Sequence, residues 1–71
     1  MTYGEAARFR MPWGKYKGQP IDGVASTDEG LEYLDWLRGV RAEEGKNETI
    51  DLALAAYLDD PAIARDLKGN A

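Results

Sequence analysis

Neither cysteine nor histidine occurs in these 71 residues, and the two absences together exclude whole classes of chemistry. Without thiols or imidazoles there is no disulfide framework and no structural zinc site. The commonest general base and the best side-chain nucleophile are missing as well, so the chain is expected not to be an enzyme, to hold no metal and to need no cofactor. Lack of cysteine fits a reducing compartment. There is no run of about 18 apolar residues to span a bilayer. The start, Met1-Thr2-Tyr3-Gly4-Glu5, lacks the basic-then-apolar layout of a secretion signal. The expectation is a cytoplasmic protein with no membrane contact.

Length is also short. Surface-to-volume scaling leaves a chain of this size little core, so a single domain, 1–71, is all it can build. Small scaffolds without staples often gain stability from a second copy, and a homo-oligomer is one expectation. Hydrophobic content of 44% with 31% charged residues is ordinary for a globular chain, which argues against wholesale disorder.

The net charge of −4 is unevenly spread. Residues 1–21 carry Arg8, Arg10, Lys15 and Lys17 against Glu5 alone, a net of +3. Residues 22–71 carry twelve acids against five bases, a net of −7. A basic N-terminal third therefore sits on an acidic body.

The Phe9 to Trp13 stretch alternates partly between apolar and charged side chains, meets Gly14-Lys15-Tyr16-Lys17-Gly18, and continues as Gln19-Pro20-Ile21-Asp22-Gly23-Val24. Two short extended runs around a glycine-bounded turn predict a β-hairpin over about 8–24. Pro12 and Pro20 cannot donate to a ladder, so the ribbon is expected to be short. Ser26 with Glu29 makes a capping box, with Thr27 as the competing N-cap, and opens a helix over about 27–39 that ends at Gly39. Its apolar face is Leu31, Leu34 and Leu37, joined by Tyr33, Trp36 and Val40. A charged loop follows. Asn47 is expected to cap a second helix, 47–58, with an inner stripe of Ile50, Ala53, Leu54, Tyr57 and Leu58. A third runs over 60–68, with Asp60 as cap and Pro61 at its first position, and stops at Gly69-Asn70. The predicted fold class is α+β: a short two-stranded β-hairpin followed by two to three α-helices packed on it.

The segment most suggestive of function is the basic aromatic turn. It has a Gly-Lys pair but neither the phosphate-loop spacing nor a following Ser or Thr. It does place two ammonium groups and a ring in five residues. If Tyr16 lies flat at the tip, a base can stack on it while Lys15 and Lys17 meet phosphates, with Arg10 extending the basic strip. In the competing arrangement Tyr16 folds back onto the helix and the lysines only keep the turn soluble. Trp13 and Trp36 are expected to be core anchors, with Trp13 packing on Trp36 and Leu37. The carboxylates Asp28, Glu29, Glu32, Asp35, Asp59, Asp60 and Asp66 are explained by helix starts and solvated faces.

Met11-Pro12-Trp13-Gly14-Lys15-Tyr16-Lys17-Gly18-Gln19-Pro20-Ile21, followed by Leu31-Glu32-Tyr33-Leu34-Asp35-Trp36-Leu37, resembles a small phage and bacterial domain of unknown function. That domain occurs in a quorum-sensing-regulated virulence factor family and at the C-terminus of exodeoxyribonuclease X-type exonucleases. The resemblance covers residues 9–38. It implies a hairpin-plus-helix module attached to DNA-processing proteins, with Trp13, Gly14, Lys15, Tyr16, Lys17, Gly18, Tyr33, Trp36 and Leu37 as motif positions and no catalytic residue. The functional expectation is weak nucleic-acid binding through Arg10, Lys15, Tyr16 and Lys17, framed by Trp13, Gly14, Gly18, Tyr33, Leu34, Trp36 and Leu37. The alternative is a protein-interaction module or inhibitor in which the acidic helical face mimics nucleic acid.

Overall fold

A computed structural model describes the backbone of residues 1–69 and the side chains of residues 1–67. Thr2 opens the first helix, α1 (Tyr3–Arg8). Its Oγ1 accepts from the Glu5 N–H at 3.2 Å, and the Glu5 carboxylate accepts from the Thr2 N–H at 3.1 Å. This reciprocal pair satisfies two donors that a helix start leaves orphaned. The Thr2 N–H and then its hydroxyl hold the Glu5 carboxyl below its ordinary range.

After a loop comes a single turn, α2 (Ile21–Val24). The long helix α3 (Asp28–Glu43) is capped by Thr27, whose Oγ1 accepts from the Gly30 N–H at 3.0 Å, and not by the expected box of Ser26 with Glu29, because the Ser26 hydroxyl donates to Gly23 O at 2.7 Å. Then follow α4 (Thr49–Leu58) and α5 (Pro61–Gly69). The Asp60 carboxylate accepts from the Ala62 N–H at 3.0 Å and so caps α5. The expected stop at Gly69-Asn70 involves Asn70, which lies outside the described residues.

Helices α1 and α3 pack on α4, and α2 lies against α1 and α3. Leu34 of α3 and Leu54 of α4 are wholly buried between them, and Met11, Ile21 and Val24 close the core from the loop side. Ala53 on α4 is also wholly buried, and its small side chain permits close approach of a neighbouring helix. Tyr57 joins α1, α2 and α4. Its ring stacks on Tyr3 with centroids 5.0 Å apart, and its hydroxyl donates to Asp22 at 2.9 Å. Burial first, and then the neighbouring Tyr3 and Asp22, push its ionisation far above the ordinary tyrosine range.

The α+β expectation is overturned: the described residues form helices and no sheet. In place of the β-hairpin over 8–24 there is an irregular loop between α1 and α2. Its limbs run antiparallel but pair only at the bridge between Arg10 and Pro20. The bonds Met11 N–H to Gln19 O (2.9 Å) and Ile21 N–H to Phe9 O (2.9 Å) make that bridge, and Gly18 N–H to Met11 O (2.8 Å) closes the bend beyond it. The physical reason lies at the ends of the limbs. Phe9 N–H closes α1 by donating to Ala6 O, Gln19 N–H turns back to Tyr16 O at 3.0 Å within the bend, and Pro20 takes the N-cap position of α2, so the second limb becomes helical before a strand can extend.

Other boundaries also move. The long helix does not stop at Gly39. It continues to Glu43, and the left-handed residue is Gly45, with φ of 74°. A glycine inside a helix costs about 1 kcal/mol relative to alanine. Here Arg41, one turn beyond Leu37, gains tertiary partners that favour continued helix. The N-cap of α4 is Glu48 instead of Asn47, because the Asp51 carboxylate reaches back to accept from the Glu48 N–H at 2.8 Å.

Trp13 and Trp36 are not core anchors. They are 40% and 59% exposed. The buried stripe of α3 is Gly30, Leu31, Leu34, Leu37 and Arg41. At about 100° per residue, a side chain two positions beyond Leu34 lies about 200° around the helix, which turns Trp36 away from the core.

Candidate nucleic-acid interface

The loop between α1 and α2 is held in one shape by its own backbone and by one side chain. Gly14 and Gly18 adopt φ of 88° and 86°, which residues with a Cβ rarely adopt. Within the bend, Lys17 N–H donates to Gly14 O at 3.2 Å and Gln19 N–H to Tyr16 O at 3.0 Å. Arg10 Nη1 donates to Gly18 O at 2.7 Å across the two limbs. Arg10 thus braces the loop while remaining exposed. With Arg8, Ala7, Pro20 and Asp22 it borders an open depression of about 450 Å³.

Tyr16 does not project from the tip. It is half-buried, packs on the core and meets Tyr33 of α3 with centroids 5.1 Å apart and planes tilted by 59°. The Tyr33 hydroxyl lies against Gly14, where a Cβ would stand 3.1 Å from it. Glycine at 14 is therefore required by both dihedral angle and space. Tyr33 in turn meets Trp36 at 5.9 Å with a tilt of 38°, and the Lys15 ammonium sits 5.5 Å from the Tyr16 ring centre. The result is a continuous row of one cation and three rings, with Trp36 its most exposed ring. Lys17 is exposed beside it on the loop.

A second arrangement fixes the loop from behind. Trp13 covers the Arg41 guanidinium at 5.2 Å. The rim of the same cation donates from Nε and Nη2 to the two Asp51 oxygens, and from Nη2 to Glu48 at 2.8 Å. These bonds hold Asp51 below the ordinary carboxylate range, with the Arg41 bond the largest cause, and raise Arg41 in turn. Phe9, Pro12 and Trp13 face Glu48, Thr49 and Ile50 across a cleft of about 330 Å³.

Of the residues singled out in the sequence, Arg10, Lys15, Tyr16 and Lys17 share one loop. Leu34 and Leu37 lie in the core below, and Tyr33 joins loop to helix. Sequence reasoning missed Trp36 as a surface residue and Arg41 as a loop brace. Helical spacing from Leu34 carries the first signal. The second has none, because the charges and the glycine of Val40 to Lys46 predict a loop there. Among the described residues no acidic cluster could hold a metal ion, and no helix is long and apolar enough to cross a membrane. No protein family, curated protein or solved structure matches the chain, so the motif resemblance is neither supported nor refuted by comparison.

Proposed function

We propose that this chain is a non-catalytic accessory module that binds nucleic acid weakly through the loop bearing Arg10, Lys15, Tyr16 and Lys17. The observation that carries the reading is the preset loop with exposed Lys15 and Lys17 beside a row of aromatic rings. Ammonium groups suit phosphates and rings suit bases, which is the pairing that strand-binding surfaces use. Few phosphates are engaged, so affinity is modest and falls with salt.

The acidic-mimic alternative has less support. Asp35 and Asp59 are paired with Arg38, and Glu48 and Asp51 with Arg41. Asp22 holds Tyr57 and Asp60 caps α5. Half of the twelve acids of residues 22–71 therefore already have work inside the fold.

The test is a fluorescence titration with oligonucleotides across salt concentrations. Replacing both Lys15 and Lys17 by alanine removes two phosphate contacts and flattens the logarithmic salt slope by about 1.4 for a single strand. A wild-type protein with no salt-sensitive binding at low ionic strength rules the function out.

A further inference from the structure

Trp36 is 59% exposed although it is among the largest apolar side chains of the chain. It has no place in the core, and its ring neighbour is Tyr33, itself in contact with Tyr16. Each step along this row is between 5 and 6 Å, and the row ends at the Lys15 ammonium. Charge gives it a direction. The loop end is cationic, whereas the helix end carries Glu32 one position before Tyr33 and Asp35 one position before Trp36, and Asp35 is bound to Arg38.

Resting on the nucleic-acid reading, we infer that Trp36 and Tyr33 form a stacking platform for unpaired bases, so that the ligand class is single-stranded nucleic acid. A strand laid on this surface keeps its phosphates over the loop lysines and turns its bases toward the rings, because the ammonium groups lie at the loop end while the helix end offers Glu32 and an Asp35 already paired with Arg38. A duplex presents phosphates on its outside and offers a base face only at its ends. It gains the lysine contacts and forgoes the rings. Two rings accommodate about one to two bases, and stacking tolerates any base because each has a π face.

The experiment uses the full chain carrying Trp13→Phe, which leaves Trp36 as the only indole. It is titrated with a thymidine single strand of about eight nucleotides and with a duplex of about twenty base pairs. Saturation with the strand is expected to quench Trp36 emission. Trp36→Ala, in the otherwise native chain, is expected to weaken strand binding about 5- to 150-fold with the salt slope unchanged, as loss of one stacked base requires. Trp36→Phe should recover most of that loss. Circular dichroism checks that these surface variants remain folded.

Strand binding that depends on Lys15 and Lys17 but not on Trp36 overturns the platform and leaves the nucleic-acid reading standing. Equal affinity for strand and duplex does the same. Absence of binding to either probe overturns both. Trp36 emission that changes with protein concentration alone identifies the row as a contact between copies and overturns the platform.

Discussion

Alanine at Gly30 and alanine at Gly39 are the same substitution in the same helix, yet the structure requires opposite signs. A Cβ built on Gly30 would lie 1.8 Å from the Val24 carbonyl oxygen and 2.8 Å from its carbon. Both are backbone atoms, so no rotamer change relieves the clash. Helices α2 and α3 must separate by about 1 Å or more, and the Thr27 cap, whose Oγ1 would stand 3.1 Å from the new methyl, shifts with them. Overpacking of this kind costs typically about 1–3 kcal/mol and occasionally more. The ordinary gain from replacing a helical glycine is about 1 kcal/mol. Because the obstacle is backbone, the net effect falls on the unfavourable side, at about 2 kcal/mol. Gly39 is exposed with nothing within 4 Å of a new Cβ, so it should realise the full helical gain of about 0.5–1 kcal/mol. For a domain of this size each kcal/mol moves Tm by roughly 4–8 °C. Thermal unfolding followed by circular dichroism should therefore show Gly30→Ala lower by about 10 °C and Gly39→Ala higher by a few degrees. A Gly30→Ala protein as stable as the wild type would refute the backbone contact between α2 and α3.

Two further outcomes follow from the polar contacts. Asp51 has a carboxyl pKa lowered in the fold, so its contribution is fully present above the unfolded value of about 3.9 and is lost as pH falls through the lower folded value. Denaturant midpoints measured between about pH 2 and pH 7 should show Asp51→Asn less stable than wild type near neutrality, with the gap closing below about pH 4; a constant gap would contradict the Arg41 pairing. Tyr57→Phe removes the bond to the Asp22 carboxylate but keeps the stack on Tyr3, and urea unfolding should show a loss of about 1.5–3 kcal/mol. A larger loss, comparable to a core truncation, would mean that the ring itself has moved.

The three C-terminal helices were legible because their signals are local. Asp60 and Pro61 stand where a helix start needs them, Thr27 takes the cap that the spacing of Ser26 and Glu29 assigns one residue earlier, and the stripe through Leu34, Leu54 and Tyr57 repeats at helical spacing. The first helix was equally marked by Thr2 and Glu5, three residues apart, but the segment was read only for targeting signals. The hairpin failed for a different reason. Glycines at 14 and 18 do bend the chain as the turn reading requires, but a turn does not make a sheet when α1 closes at Phe9 and α2 opens at Pro20 on either side of it. Size suggests burial for Trp13 and Trp36, whereas the phase of α3 turns Trp36 outward and Trp13 covers the Arg41 guanidinium from the loop. Tyr16 illustrates the limit: whether it lies outward or folds back depends on Tyr33, seventeen positions away, and no local pattern carries that.

The stacked guanidinium of Arg41 gives the charge asymmetry of the chain a mechanical meaning. Its rim is occupied by carboxylates at the start of α4 and its face by the indole next to the glycine bend. The planar cation thereby ties the basic loop to the acidic start of α4, beside the Tyr16–Tyr33 contact that joins the same loop to α3, and lysine, lacking both fork and face, is no substitute. Unwinding the first turn of α4 would remove the carboxylates that orient Arg41 beneath Trp13. The negatively charged segment acts as the foundation on which the positively charged one is mounted.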